Sequence, residues 1–152
     1  MDSLDRRILS QLASDSSASI GELAETLEVP SSTLHQRIKR LESRGVITGY
    51  RATINQREAG LTLHALVSLT PIDPARPDDV AELISPIAEI ESCWSVAGTE
   101  SYIVKVAVGE PSDLEALLAR IRSVANVSTR TSVILSTPFE GRQAVIPEDG
   151  NS

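Results

Sequence analysis

Between Ser31 and Arg57 the chain carries Arg37, Lys39, Arg40, Arg44, Arg51 and Arg57 against Glu42 alone, six cations to one acid and a local balance of +5. Cations at that density neutralise the oxygens of a polyanion at close range and displace its counterions. Interleaved with them are Ser32, Thr33, His35 and Gln36, polar side chains able to exchange hydrogen bonds with base edges, glutamine with adenine in particular. Lys39, Arg40 and Arg44 suit phosphates, contacts that fix register. Arg37 suits either a phosphate or a salt bridge between helices. A solvated helix face is the ordinary reading of a charge cluster by itself, so the elements that carry the cluster decide.

Three helices are expected around it. Leu4, Ile8, Leu9 and Leu12 recur at helical spacing over residues 3–14, and the polar run Ser14-Asp15-Ser16-Ser17 ends that segment. Ser19 with Glu22 is a capping-box signature opening a second helix that holds Ile20, Leu23, Ala24 and Leu27; Glu28-Val29-Pro30 breaks it. A third helix is expected from Ser31 to Arg44, with Gly45 closing it. At about 100° per residue, Leu34, Ile38 and Leu41 face inward while Ser32, Thr33, His35, Gln36, Lys39, Arg40 and Ser43 project outward. Leu23, Ala24, Leu27, Val29 and Leu34 fall where a helix-turn-helix buries its side chains, which makes the third helix the reader. Glu28 occupies a turn position that more often holds glycine. Val46 to Ile54 is β-branched and roughly alternating, hence an expected strand, either a wing beside the nucleic acid or an arm leading onward. Asn55 to Gly60 is the expected hinge.

The chain as a whole carries 14 basic and 21 acidic residues, net −7. The split is uneven: residues 1–60 hold eight of each, and residues 61–152 hold six basic and 13 acidic. An acidic body with one concentrated basic patch is compatible with phosphate binding, because the local field governs close approach. The longest apolar run, Ala116 to Ala119, is too short for a membrane span or a secretory leader, so a cytoplasmic protein with no membrane association is expected. One cysteine, Cys93, permits no internal disulfide, and with His35 and His64 as the only histidines no metal site is expected.

Leu4-Asp5-Arg6-Arg7-Ile8-Leu9, Leu23-Ala24, Arg37-Ile38-Lys39-Arg40-Leu41-Glu42 and Gly45-Val46-Ile47-Thr48-Gly49-Tyr50 resemble the N-terminal domain of the Lrp/AsnC, or feast/famine, transcriptional regulators. Trp94-Ser95-Val96-Ala97-Gly98 followed by Tyr102-Ile103-Val104-Lys105-Val106 resembles that family's effector domain, so the likeness spans roughly residues 2–137. One departure is Pro30, where the family usually places a serine cap, which moves the expected cap to Ser31.

The second half is expected to form a four-stranded sheet. Leu63, Ala65, Val67 and Leu69 alternate along a strand; residues 78–90 carry a helical pattern that Pro86 must kink or end. Residues 91–97 and Tyr102 to Val108 read as a hairpin, Ser112 with Glu115 as a cap opening a helix, and Val127 to Thr137 as the last strand. The order βαββαβ is the ferredoxin-like plan, so the fold class is α+β: a winged helix-turn-helix domain joined to a ferredoxin-like domain. The expected boundaries are 1–48 for the helical domain, 49–60 for strand and hinge, 61–137 for an effector-binding and oligomerisation domain, and 138–152 for a disordered polar tail. Two helices cover one face of such a sheet. The other would expose Leu66, Trp94, Val96, Ile103 and Ala107, which a second copy would cover. The resemblance implies the same homodimer, extended in some members to tetramers or octamers.

In the family, the loop between the second and third strands helps bind an amino acid between dimers, commonly with glycine, a small polar residue, an aromatic and an aspartate. Here the matching residues are Gly98, Thr99, Glu100 and Ser101. The carboxylate has moved to Glu100, which could receive a ligand ammonium in place of the aspartate. A plain hairpin turn and a site tuned to another ligand remain open. Thr129 and Thr131 are added by resemblance alone.

The expected function is therefore a sequence-specific, double-stranded-DNA-binding transcriptional regulator acting at pseudo-palindromic sites. The alternative is a small-molecule-binding metabolic module or enzyme of ferredoxin-like fold with a helical docking domain. The sequence offers that alternative little: no phosphate loop, nucleophile–base pair or paired catalytic carboxylates, so no enzyme activity and no cofactor are expected. RNA binding through the sheet is short of aromatic side chains.

Overall fold

The computed structural model describes residues 1–75 and 78–142, which divide into two compact units, one built on Met1–Thr53 and one on Ile54–Pro138.

In the first unit, α1 (Ser3–Ser14), α2 (Ile20–Leu27) and α3 (Ser31–Ser43) form the expected three helices. Their facing sides close over Ile8, Leu23, Ala24, Leu27, Leu34, Ile38 and Leu41, all buried. Each fully buried leucine or isoleucine contributes on the order of 1.5–3 kcal/mol relative to an exposed one. Ser19 and Glu22 cap α2 reciprocally as expected, with Ser19 N–H donating to Glu22 Oε2 at 2.7 Å and Glu22 N–H to Ser19 Oγ at 3.2 Å. A second such box opens α1, where Asp5 N–H donates to Asp2 Oδ1 at 2.9 Å and Asp2 N–H to Asp5 Oδ2 at 3.2 Å.

α3 corrects one expectation. Ser31 is its first helical residue and not its cap; the capping position falls on Pro30, which offers no side-chain acceptor, and α3 begins without a side-chain cap. Both ends of the α2–α3 pair close in the same manner. At the end of α2, Glu28 N–H donates to Glu25 O at 3.1 Å and Val29 N–H to Ala24 O at 3.0 Å. At the end of α3, Gly45 N–H donates to Glu42 O and Val46 N–H to Leu41 O, both at 2.9 Å. This paired closure needs a left-handed residue. Gly45 supplies it with φ +68° at no steric cost, whereas Glu28 adopts φ +57° with a full side chain.

The strand expected over Val46–Ile54 is not formed. Among the described residues no neighbouring strand offers it a ladder, and its first two N–H groups are already spent on Leu41 O, at 2.9 Å from Val46 and 3.2 Å from Ile47. Asn55 to Gly60 folds instead as turns closed by Ala59 N–H on Asn55 O at 3.1 Å and Leu61 N–H on Gln56 O at 2.8 Å.

The second unit holds β1 (Leu63–Pro71), α4 (Val80–Ile84), β2 (Ile90–Ser95), β3 (Tyr102–Val108), α5 (Pro111–Ala125) and β4 (Val127–Val133). The strands are antiparallel in the order β2-β3-β1-β4, the ferredoxin-like arrangement. α4 is shorter than the 78–90 pattern: Pro86 has no N–H to continue the ladder, and the chain turns at once into β2. α5 starts at Pro111, and its capping box falls two residues before the expected Ser112–Glu115 pair. Pro111 presets its first turn, and Glu110 N–H donates to Asp113 Oδ2 at 3.1 Å in the box that is formed. β4 ends at Val133, not Thr137, after which Ile134 N–H makes one more bond, to His64 O at 2.9 Å.

The inward faces of β1, β3 and β4 pack with α4 and α5 around Ala65, Val67, Leu69, Val104, Val106, Ile121 and Val127. The other face presents half-exposed Leu66 and Trp94, and half-buried Ile103. Lys105 stands in the same face, opposite Leu66, paired with Glu91 at 3.4 Å. Glu91 reaches it from a bulge between Ile90 and Ser92. Of the expected open-face residues, Val96 lies beyond β2 and Ala107 is buried. Residues 138–142 carry no helix or strand, and the rest of the expected tail lies outside the described residues. No helix among the described residues is long and apolar enough to cross a membrane.

Candidate functional site

α3 turns its apolar stripe into the three-helix core and leaves the rest of its surface uncovered. Leu34 and Leu41 are fully buried and Ile38 nearly so, while Ser32, His35, Gln36, Lys39, Arg40 and Arg44 are exposed and Thr33 is half-buried. Polar side chains that can reach base edges gather in the first half of the helix, and cations in the second half and just beyond it.

The cations are not equivalent. Arg37 lies between α3 and α1, its Nη1 donating to Asp5 Oδ1 at 2.9 Å and also to Asp2. Of the two roles open to it in the sequence, the structure uses the salt bridge. Arg40 is half-exposed, with Nη2 donating to Asp5 Oδ2 at 3.0 Å and to Oδ1 at 3.3 Å. Lys39 is exposed and pairs with Glu42 at 3.3 Å, one turn along the helix. Arg7, on α1, donates from Nη2 to Leu27 O at 3.3 Å and so meets the carbonyl end of α2.

Asp5 organises this group. Its side chain is 0% exposed, and burial alone would push its carboxyl up. The hydrogen bond from Arg37, the N–H of Asp2 and the charge of Arg40 outweigh burial, and the carboxyl is held below its ordinary range. Asp2, bonded to Arg37 and to the N–H of Asp5, is lowered to about 2. Sequence reasoning noted Asp5 only as part of a family signature and gave Asp2 no role. The available signal was their spacing, Asp2 and Asp5 at a helix start opposite two arginines three residues apart.

The second candidate region is the loop joining β2 to β3. Ser101 N–H donates to Leu69 O at 3.1 Å and Val96 N–H to Ser101 O at 3.0 Å, so the loop is pinned to β1. Gly98 has no left-handed φ, and a Cβ there would meet nothing within 4 Å, so the turn does not demand glycine. Glu100 is 18% exposed, accepts from Ser68 Oγ at 3.2 Å and lies 3.6 Å from Arg130 Nη2. A cleft of about 140 Å³ is lined there by Ser68, Thr70, Thr99, Glu100, Ser128, Thr129 and Arg130.

β4 divides the remaining candidates. In its register Arg130 stands opposite Ser68, whereas Thr129 and Thr131 stand opposite Leu69 and Val67, whose side chains enter the core beneath the helices. The Thr129 hydroxyl accepts from Arg122 Nη1 of α5 at 3.1 Å. The alternation therefore brings Arg130 to Glu100 and turns the hydroxyls of Thr129 and Thr131 the other way. Ser101 belongs to a different cleft of about 280 Å³, with Asp73, Asp78 and Asn126. Arg130 and Ser68 were not singled out in the sequence, although strand pairing through the Leu66–Ser68 alternation would have placed them together.

Comparisons with known proteins identify the family of each unit. Residues 1–48 match a family model described as winged helix-turn-helix DNA-binding, and residues 62–144 match one described as the Lrp/AsnC ligand binding domain. The chain is 46% identical over 145 residues to the HTH-type transcriptional regulator LrpA of Mycobacterium tuberculosis, covering 95% of this chain and 97% of that one. The crystal structure of the leucine response regulatory protein LrpA from M. tuberculosis superposes with a TM-score of 0.85 at 44% identity, covering 96% of this chain and 100% of the other. A feast or famine regulatory protein from M. tuberculosis complexed with L-methionine superposes with a TM-score of 0.92 at 46% identity, covering 95% and 99%.

Proposed function

The chain belongs to the Lrp/AsnC family of DNA-binding transcriptional regulators, and from that premise we propose that α3 is its reading helix, working in pairs on pseudo-palindromic DNA. It is a regulator and not an enzyme. One observation carries the proposal: α3 is anchored by a buried Leu34–Ile38–Leu41 stripe while Ser32, His35, Gln36, Lys39, Arg40 and Arg44 stay exposed. Ser32, Thr33, His35 and Gln36 read base edges; Lys39, Arg40 and Arg44 hold phosphates; Arg37 acts from behind, through the aspartates of α1. A second copy covers the Leu66–Trp94–Ile103 face and sets two reading helices about one helical turn of DNA apart, or a multiple of it. A DNA target and the likeness to the regulator LrpA support a cytoplasmic location as part of this proposal.

The cleft beside Glu100 is proposed as the effector site. Glu100 offers a carboxylate to a ligand ammonium, Arg130 a guanidinium to a ligand carboxylate, and Ser68 and Thr99 hydroxyls between them. That set of groups fits a free amino acid. The L-methionine complex of a 46% identical relative supports the same ligand class.

Selection of duplexes from a random pool, followed by mobility shifts, tests the DNA half. The expected outcome is a two-fold-symmetric consensus whose binding is weakened by Lys39→Ala or Arg44→Ala on every duplex, and whose base preference is relaxed by Gln36→Ala. A consensus without symmetry, or binding indifferent to all three substitutions, would overturn it. Calorimetry with a panel of amino acids tests the effector half: Glu100→Ala should abolish whatever heat the wild type shows.

A further inference from the structure

Asp5 cannot touch DNA, since its side chain is wholly buried, yet it receives both arginines of α3 that lie on the α1 side. Arg37 Nη1 meets Oδ1 at 2.9 Å, and Arg40 Nη2 meets Oδ2 at 3.0 Å. The carboxylate is fixed in turn by the capping box it shares with Asp2, so it cannot follow a moving guanidinium. Arg40 engages it through one terminal nitrogen only, while its side chain is 52% exposed. A planar guanidinium carries five donors in a rigid fork, so fixing one edge fixes the direction of the others.

A second consequence is electrostatic. Asp2, Asp5, Arg37 and Arg40 sum to zero, and Lys39 is paired with Glu42. Glu42 is already within the +5 counted along the chain, so Asp2 and Asp5 lower the patch to +3 where it is packed, which restrains attraction to any DNA regardless of sequence.

We propose that Asp5 is a positioning residue for DNA reading, a buried carboxylate that aims Arg40 at one phosphate and cancels the free charge of Arg37 and Arg40, so that the protein gains discrimination between duplexes in place of indiscriminate affinity. The proposal rests on α3 being the reading helix. Removing the charge without changing the shape should release Arg40 as a mobile cation and leave Arg37 held by Asp2 alone. Non-specific binding then rises while the aimed phosphate contact is lost, and the ratio between right and wrong sequences falls.

The experiment is fluorescence anisotropy of the full-length protein on a wild-type-selected duplex and on a shuffled duplex of the same composition, across a potassium chloride series. Asp5→Asn is expected to weaken the selected duplex and tighten the shuffled one, lowering discrimination roughly tenfold, and to steepen the shuffled-duplex salt slope by about one. A purely structural role would lower both affinities together in proportion to the unfolded fraction and leave the slope unchanged; that result overturns the proposal. Asp2→Asn covers the case in which Asp5→Asn fails to fold. Asparagine still caps α1 and the side chain is half-exposed, yet it removes one of the two carboxylates that hold Arg37 and leaves the other, so a smaller change of the same sign is expected, and its absence overturns the proposal as well. Lys39→Ala and Arg44→Ala separate the two layers. If they leave the selected duplex unaffected, the reading-helix assignment falls and takes this inference with it; if they weaken it while both aspartate variants discriminate like wild type, this inference alone falls.

Discussion

Tyr50 Oη donates to Glu42 Oε1 at 3.0 Å, so the segment leaving α3 is tied back to the helix it has just left. The same carboxylate holds Lys39 at 3.3 Å. Glu42 is thus shared between the chain's exit and a cation assigned to phosphate.

Titration reports this link directly. Desolvation and the neighbouring Glu42 carboxylate both push the Tyr50 phenol above its ordinary value, and the hydrogen bond from Tyr50, then that from Lys39, draws Glu42 down. Glu42→Gln should therefore move one phenolate absorbance midpoint back toward the ordinary range. Tyr50→Phe identifies which of the two tyrosines moved. The same Glu42→Gln protein should bind shuffled DNA with a steeper salt slope, since Lys39 no longer has its partner. An unmoved midpoint shows that the bond does not persist in solution.

Acid should weaken the helical unit in a way that depends on Asp2 and Asp5. Both carboxyls are lower in the folded chain than their ordinary 3.8, Asp2 at about 2. The unfolded chain therefore binds protons first as pH falls, and the stability these groups contribute, fully present above the ordinary carboxylate value, is lost as pH drops from there toward about 2. Asp15, Glu22 and Glu42 are lowered too and share this limb, so the informative quantity is a difference. Thermal unfolding followed by circular dichroism should show a shallower acid limb for Asp2→Asn and Asp5→Asn than for wild type. Parallel limbs would mean that the ion pairs to Arg37 and Arg40 contribute nothing to folding.

Glu28 offers a stabilising substitution. With φ +57° it pays the left-handed cost of a residue with a Cβ, and the closure is made by backbone N–H groups, Glu28 on Glu25 O and Val29 on Ala24 O. Glu28→Gly should raise stability by about 0.5–1 kcal/mol, the left-handed penalty less the added entropy of glycine in the unfolded chain. Urea unfolding measures it through a midpoint shift at constant slope. A loss of stability would mean that the Glu28 side chain contributes an interaction larger than the strain.

Periodicity made the helical half legible because its signals are local. Leu34, Ile38 and Leu41 define a buried stripe by spacing alone, and Ser19 with Glu22 defines a start. Errors arose where a local signal competes with a non-local partner. Val46–Ile54 has strand composition, but a strand exists only where another backbone meets it. Ser112 and Glu115 have capping chemistry, but Pro111 sets the first turn earlier. At the sites the missing information was pairing register. Thr129 and Thr131 were placed by likeness, and Arg130, one residue from each, reaches Glu100 because β4 alternates against Ser68. Arg37's choice between DNA and protein depended on Asp2 and Asp5, some thirty residues away, and helix spacing says nothing about that distance.

Trp94 supplies a probe of self-association that needs no label, being the one tryptophan of the chain and 48% exposed on the open sheet face. It stands opposite Ile103 in the β2–β3 register, and half-exposed Leu66 lies on the same face. A large apolar surface of that kind is costly to leave in water, and covering it by a copy of itself makes an interface in which the same patch is used twice. Diluting the protein should then shift Trp94 emission to longer wavelength as the face becomes wet. Leu66→Asp should move the sedimentation coefficient toward that of a single chain, because it sets two like charges against each other across such an interface. Because two linked reading helices bind one duplex with a high effective concentration, the same variant should lose on the order of a hundredfold in affinity for the selected duplex while keeping its helical content. Emission independent of concentration, together with unchanged sedimentation of Leu66→Asp, would show that the sheet face is not where copies of the chain meet.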